Sequence, residues 1–553
     1  MSLWSTISSN IKRMVQGMIG ARTIEGALHI APVISARMQN AIQLWTAMYK
    51  NEATWLHEPD HDNPVRVVSL GLPALIASEK ARTALLEFNS EITVPTEEKE
   101  VNNPDYQEPQ PDELGNVLPS AVPKTIIQDV PTTNAARAEF LEKQYKKLKK
   151  QLRKQIEYGI AKGGLVIKPY IVKNEAKDAE TTMDIEFDFI QADSFYPLAF
   201  SASGEITEAA FVQTKFQDNF IYRRLEYHKW ENNTVKVINK AYKTKDIDNI
   251  KDARSQDFLG TPIELTDVPE WADLPAATTI KNVNKPLFAY FKMPEANTID
   301  TTSALGVSGY SRAVQLIKDA DMQYSRLLWE YEAGEMAIDI DRDALNFEDD
   351  GTGNGTGHSK LNKMQQRLFR KVDLGESNTF EPYAPALRDS AYIQGLNSIL
   401  MRIEDVTGLS RGTISDAASE ARTATELKIL KQRSYQTNAD IQQAIEDCLQ
   451  DVIYIMNAYA SLYKITPEGE YDVNFEWDDS IIVDVDMELN KRITLMQNGI
   501  TSKLETRMWY FGETERQAKE ALQQSDVEAQ QQMRNDLAMQ ANQINMADTG
   551  EED

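Results

Sequence analysis

The stretch TISDAASEARTATELKILKQRSYQTNADIQQAIEDCLQDVIYIMNAYASLYKIT, residues 413–466, contains no glycine and no proline. It is rich in Ala, Leu, Ile, Gln, Glu and Lys, all at home in a helix. Wholly helical, it would span roughly 80 Å at 1.5 Å per residue. Helices of globular proteins are usually far shorter. A helix of that length implies a coiled coil, or a strut that bridges regions of a large assembly. Just before it stands a Gly-bounded segment, Gly408-Leu409-Ser410-Arg411-Gly412, and then a polar run from Thr413 to Thr425. A polar loop feeding a very long helix suggests a mechanical part rather than a catalytic pocket.

Working outward, two narrow apolar stripes precede the loop. Ser311 to Glu332 carries Val314, Ile317, Ala320, Tyr324, Leu327 and Tyr331. Leu387 to Val406 carries Ile393, Leu396, Leu400, Ile403 and Val406. Narrow stripes are the seams of helices packed side by side. Between them lies a small module with strand-like Met336–Ile340, a Gly-rich stretch, and strand-like Gln366–Val372. Beyond the long helix, Pro467 is followed by strands at Tyr471–Trp477 and Ile481–Val485. Helices then run to about Ala541, and Asp548–Asp553 forms an acidic tail.

Nearer the N-terminus, Met1–Gly20 has helical periodicity without the continuous apolar core of a signal peptide. Ala31–Trp55 is an amphipathic helix on Ile34, Met38, Ala41, Trp45 and Met48. Leu72–Ile92 repeats the pattern. Pro95–Pro123, rich in Pro, Glu, Asp and Asn, reads as an extended or disordered loop. Thr132–Asn134 caps a strongly basic helix that runs to Tyr158 and stops at Gly163-Gly164. Its lysines are expected to pair with acidic neighbours across a subunit interface or to form a solvated face, with phosphate contact as the sharper alternative. Leu165–Tyr170 opens a strand-rich region with Asp184–Phe189 and a meander of Ile206–Phe216, Ile221–Trp230 and Thr234–Tyr242. Lys243–Asp273 is expected to be loop, and Leu287–Phe291 a further strand.

A chain of 553 residues is too long for one core, so several domains are expected. No apolar run reaches membrane-span length. A lone cysteine, Cys448, rules out an internal disulfide framework and reads as a small buried hydrophobe. The net charge of −26 argues against a sequence-reading DNA binder, which needs a basic footprint. It leaves room for a protein along which DNA must slide.

Candidate chemistry is thin. Gly408-Leu-Ser-Arg-Gly412 matches the G-x-S-x-G nucleophile elbow, but a helix precedes it and no histidine follows His358. His57, Asp60, His61 and Asp62 could offer metal ligands, but Pro59 among them argues for a loop and the five scattered histidines give no second cluster. The Asp349–Gly357 stretch lacks the spaced carboxylates of an EF-hand. No Gly-Lys dipeptide occurs, so there is no Walker A loop. Neither an enzyme nor a metal or cofactor site is expected.

The order of these elements resembles the portal proteins of tailed bacteriophages. The matching stretches are Leu44–Glu52, Gln191–Pro197, Asn284–Phe291, Leu305–Ser308 leading to Ser325–Tyr331, Thr423–Glu426, Lys431–Tyr435 and Asn498–Ser502. The resemblance implies an α+β, predominantly helical fold with wing, stem, clip and crown, assembled as a ring that is usually dodecameric. The wing would be 1–305, with strands at about 165–291. Stem helices would be 306–335 and 385–408, flanking a clip at 336–384. A tunnel loop would follow at 409–425. The long helix and a strand returning to the wing would occupy 426–483, and crown helices with the acidic tail 484–553. The stem would pack through Val314, Ile317, Tyr324, Leu327, Tyr331, Ile393, Leu396, Leu400 and Ile403. The loop would face double-stranded DNA with Ser410, Arg411, Thr413, Ser415, Asp416, Ser419, Glu420 and Arg422. Its arginines are expected to be balanced by Asp416 and Glu420. Implied partners are copies of itself, the DNA, the terminase large subunit, major capsid and scaffolding proteins, and head-completion or adaptor proteins, in a virion and without a membrane. The alternative is a structural adaptor or scaffold ring that conducts no DNA.

Overall fold

The computed structural model describes residues 23–57, 66–86, 88–102, 125–174, 182–245, 258–341, 369–372, 380–416, 424–477, 485–519 and 521–525. The chain divides into two compact units, residues 1–477 and 478–553. Among the described residues, helix makes up 46% and five sheets accompany it, so the fold is mixed α/β rather than predominantly helical.

The helices of the first unit are α1 (Ile24–Leu28), α2 (Ala36–Tyr49), α3 (Thr54–His57), α4 (Leu72–Ala84), α5 (Ala136–Lys162), α6 (Val314–Ala333), α7 (Asp389–Thr407) and α8 (Ala424–Leu462). Its strands are β1 (Phe88–Thr93), β2 (Thr96–Asn102), β3 (Thr125–Pro131), β4 (Gly164–Asn174), β5 (Thr182–Gln191), β6 (Phe195–Phe200), β7 (Ile206–Gln217), β8 (Phe220–Glu231) and β9 (Thr234–Lys245). They continue with β10 (Thr261–Ile263), β11 (Ala277–Lys281), β12 (Ala289–Lys292), β13 (Ala337–Asp341), β14 (Phe369–Val372), β15 (Phe380–Tyr383) and β16 (Asp472–Trp477). The second unit holds α9 (Val485–Gln497) and α10 (Lys503–Phe511), the latter opened by a capping box of Ser502 and Glu505.

Local chemistry sets most of these elements. The Ser35 hydroxyl accepts from Met38 N and starts α2, which buries Met38, Ile42, Trp45 and Met48. The Asn134 side chain accepts from Ala136 N at the start of α5. That helix buries Leu141, Tyr145, Leu148, Leu152, Ile156 and Ile160 at helical spacing, and Gly163 ends it with φ +90°. Lys147 meets Asp184 and Glu186 on β5 at 3.3 and 3.1 Å, acidic partners within the chain rather than across a subunit interface. The β7–β8 and β8–β9 turns place Asp218-Asn219 and Asn232-Asn233 at positive φ. Two-residue hairpins need that geometry.

The long helix is a strut only in part. It runs 39 residues, about 58 Å at 1.5 Å per residue. From Ile441 onward it is threaded through the core: Ile441, Ile445, Leu449, Val452 and Met456 are fully buried. Cys448 lies among them, and burial pushes its thiol pKa up. At the far end the buried Arg137 of α5 donates to Asn457 O and Oδ1, the Ser461 hydroxyl, and the carbonyls of Thr466 and Pro467. A neighbour within the chain therefore covers much of the helix, and a coiled coil is not required.

Several expectations are corrected. The helix expected over Leu72–Ile92 ends at Ala84. Ser90–Ile92 instead belongs to β1, which pairs antiparallel with β16. The later strand thus returns to the N-terminal region. Part of the expected loop at Pro95–Pro123 is β2, paired with β3. Part of the loop expected at Lys243–Asp273 is β10, on the edge of β9. Val485 opens α9 rather than closing a strand. Met1–Gly20, Ile481–Asp484, the Asp349–Gly357 stretch and Asp548–Asp553 lie outside the described residues.

Candidate functional site: the paired helices and the loop that follows

The chain enters α6 through a tight crossing. A Cβ on Gly306 would lie 2.1 Å from Gly163 O, so both backbones depend on glycine there. Tyr310 OH donates to Trp45 O at 2.8 Å. The helix begins at Val314 after one 3-10 turn, so residues 306–310 are a buried approach rather than the start of a stem helix. Asp321 is 2% exposed and has no cation beside it among the described residues. Its carboxylate accepts from Leu70 N at 2.9 Å and Trp55 Nε1 at 3.1 Å. Ser325 accepts from Val68 N. These contacts clamp the chain before α4 onto the helix, and burial raises the Asp321 pKa.

The second helix packs beside the first and runs antiparallel to it. Arg388, just before α7, makes a bidentate pair with Glu330 near the end of α6, at 3.0 and 2.7 Å. That pairing lowers the glutamate's pKa and raises the arginine's. Between the helices β13 pairs parallel with β14 and antiparallel with β15, giving the small β module expected there.

Of the expected seam residues, Ile317, Leu327 and Ile403 are buried, and Val314, Tyr324, Leu396 and Leu400 are half-buried. Tyr331 and Ile393 are exposed in the single chain, 40% and 42%, and so is Trp329, at 50%. The pair therefore covers only one side of itself.

At the end of α7, Gly408 turns left-handed and Leu409 is buried. The organising group here is Glu404, fully buried in the last turn of the helix. Its Oε1 accepts from Ile414 N at 2.6 Å and Ser415 N at 2.9 Å. Its Oε2 accepts from the Ser415 hydroxyl at 2.7 Å and Gly412 N at 3.2 Å. One carboxylate thus folds residues 412–415 around itself. Asp416 N donates to Asn397 Oδ1, closing the base of the loop against α7.

This corrects two loop assignments. Ser415 is 7% exposed and bonded to Glu404, so it is not the free surface hydroxyl expected to face DNA. Arg411 pairs with Asp405, at 2.8 Å, rather than with the loop acid Asp416, and this raises its pKa. Ser410 is half-buried, and its carbonyl accepts from the Thr413 hydroxyl. Thr413, Asp416 and Arg411 remain exposed. Ser419, Glu420 and Arg422 lie outside the described residues.

The sequence reading missed Glu404 and Asp321. Each was nonetheless signalled by an acid at stripe spacing, Leu396–Leu400–Glu404 and Ile317–Asp321.

A helix, not a strand, precedes Ser410, so the nucleophile-elbow geometry is absent there. Among the described residues no group of three or more His, Cys, Asp or Glu is placed to hold a metal ion, and no helix is long and apolar enough to cross a membrane.

No curated protein matches the chain. A family model described as phage portal protein, SPP1 Gp6-like, matches residues 35–535, nearly the whole length. The match spans the core, the paired helices, the small β module, the Glu404-centred loop and the long helix, and the chain therefore belongs to the SPP1 Gp6-like family of phage portal proteins.

Proposed function

We propose that this portal-family protein forms a closed ring, usually of twelve copies, at one vertex of a phage capsid. Double-stranded DNA passes through its channel during packaging and again at ejection. The terminase motor, and later the head-completion proteins, dock on the β module of 337–383. Capsid and scaffolding proteins hold the outer wall. The protein is structural and needs no cofactor.

The observation that carries the ring is the one-sided cover of α6 and α7. Trp329, Tyr331 and Ile393 are large apolar groups left to solvent on one protomer. A head-to-tail contact that closes by rotation buries such a face in every copy. The loop after Asp416 and the exposed Thr413 are the proposed DNA contacts, and the net charge of −26 suits a duplex that slides without being gripped.

Electron microscopy of the purified protein should show end-on rings with a central hole. Thr413→Cys and Asp416→Cys should cross-link to packaged DNA. Monomers at every concentration would sink the ring. Rings whose cysteines label with a bulky reagent on filled heads, and never cross-link, would leave the adaptor reading standing in place of conduction.

A further inference from the structure

Away from the paired helices, a cavity of about 470 Å³ opens where the ends of α2 and α5 meet the sheets. Four cations line it: Lys50, Lys162, Lys168 and Arg224. Three carboxylates line it too, and each is already engaged. Asp193 holds Lys162 at 2.8 Å. Glu226 holds Lys168 at 2.6 Å and Arg224 at 3.0 Å, and Asp188 lies 3.6 Å from Lys168. The balance is one net positive charge in a chain whose total is −26.

The surplus sits at one end. Lys50, just past α2, has no carboxylate within ion-pair distance among the described residues. Lys162, the last residue of α5, is only 5% exposed, yet its ammonium finds a single acceptor there for its three N–H donors. A buried ammonium with unused donors is costly unless an acceptor arrives. Burial lowers the Lys162 pKa, Asp193 opposes that, and Lys50 adds to the lowering, so the two lysines feel each other.

We propose that this cavity binds a compact oxyanion of the phosphate class, bridging Lys50 and Lys162. A phosphate oxygen suits an ammonium as a point charge and accepts several N–H donors at once. The anion joins the end of α2 to the end of α5, whose Lys162 also donates to Asp193 in the turn before β6. It therefore fastens the helical part of the unit to the meander sheet. The same chemistry is carried by free phosphate or pyrophosphate and by the 5′-phosphate end of a nucleic acid. The inference does not depend on the ring or on DNA passage.

The test is thermal unfolding and calorimetric titration of the full chain. The probes are sodium pyrophosphate, and a short oligonucleotide with and without a 5′-phosphate, each against sodium chloride at matched ionic strength. Pyrophosphate should raise Tm beyond the salt control, because a ligand that binds only the folded state stabilises it. Lys50→Gln, a substitution on the surface, should leave the unliganded Tm unchanged and weaken pyrophosphate binding about tenfold, with Lys50→Arg restoring most of it. A shift with the 5′-phosphorylated oligonucleotide alone assigns the source to nucleic-acid ends, and one with pyrophosphate alone to a free anion. No shift beyond chloride with either probe, or an equal shift in Lys50→Gln, overturns the proposal.

Discussion

Replacing Glu404 by glutamine tests whether one buried carboxylate holds the base of the loop. Four donors converge on it, three of them backbone amides that cannot reverse. A glutamine keeps one oxygen. In its better orientation the amide nitrogen faces the Ser415 hydroxyl, which can turn and accept, but it also faces Gly412 N–H, which cannot. Gly412 N–H then keeps only its 3.2 Å bond to Ser415 Oγ, and the bonds from Ile414 N and Ser415 N lose their charge assistance, worth roughly 1 kcal/mol each. Burying a neutral group rather than a charge returns part of that. The net loss is about 2–3 kcal/mol, a factor of roughly 30 to 150 at 1.36 kcal/mol per decade. It falls on local opening, because the rest of α7 keeps its packing. Hydrogen exchange of a peptide covering 409–416 in the assembled protein reads it directly. Glu404→Gln should accelerate exchange by that factor. Ser415→Ala, which removes the hydroxyl's bond to Glu404 and the one it accepts from Gly412 N but leaves the carboxylate in place, should do so by less than about tenfold. Glu404→Ala, with the Ile414 and Ser415 amides stranded, should exceed both. Exchange within about threefold of wild type in Glu404→Gln would refute the hub, since the loop would then be held by something else.

Other outcomes follow from the same structure. Leu327→Ala should cost about 2–5 kcal/mol in chemical denaturation, as a buried leucine does, whereas Leu327→Asp with Leu400→Asp should also reduce ring yield in size-exclusion chromatography. Asp321 has a raised pKa in the folded state, so its contribution to stability is fully present below its ordinary value of 3.8 and is lost as pH rises through the raised one. Asp321→Asn should flatten that decline in unfolding curves taken from about pH 4 upward, and an unchanged slope would show that another group sets it. Cys448 should resist thiol reagents until the protein unfolds, because burial holds the thiol protonated. Gly163→Ala should destabilise by more than the 1–2 kcal/mol or so of a left-handed alanine, since its Cβ would lie 2.7 Å from Gly306 O.

Much of the fold was legible where a signal is local. The meander announced itself through alternation and through Asp218-Asn219 and Asn232-Asn233, which only a tight hairpin uses well. The two striped helices and the glycine-free helix followed from periodicity. Failures came where the deciding partner is distant. Phe88–Thr93 continues the apolar spacing of α4. It becomes a strand because Asp472–Trp477, nearly four hundred residues later, completes its hydrogen bonds and stacks Trp477 on Phe88. Thr96–Asn102 is rich in Glu and poor in strand formers, and pairing with β3 overrides that composition. In the loop, the glycines that free the backbone and the short hydroxyls were read correctly as residue types. Their purpose was not, because a serine that caps a buried carboxylate and a serine that meets solvent look alike in sequence. The stripe position of Glu404 carried the missing information.

That position also bears on how a force on the loop would travel. Residues 412–416 are tied to α7 through Glu404 and Asn397, so they move with that helix rather than independently of it. The other end of the loop joins the long helix at Ala424. Some 26 Å further on, at 1.5 Å per residue, Ile441 enters the fully buried row. A close-packed row of that kind does not slide by degrees; it holds or repacks. Among the described residues of the helix, Ile441 is the first that is fully buried, so a displacement passed along it would meet the core there. In the interval from Ala424 to Ile441, Gly408 lies against Thr437, so tightly that a Cβ on the glycine would come within 2.5 Å of the threonine oxygen. The base of the loop and the long helix thus touch a single turn before the rigid segment begins. The Gly408–Thr437 contact is therefore where coupling between loop and core is best tested: a double-mutant cycle of Thr437→Val with Glu404→Gln should show non-additive loop exchange, and strict additivity would refute a coupling through this contact.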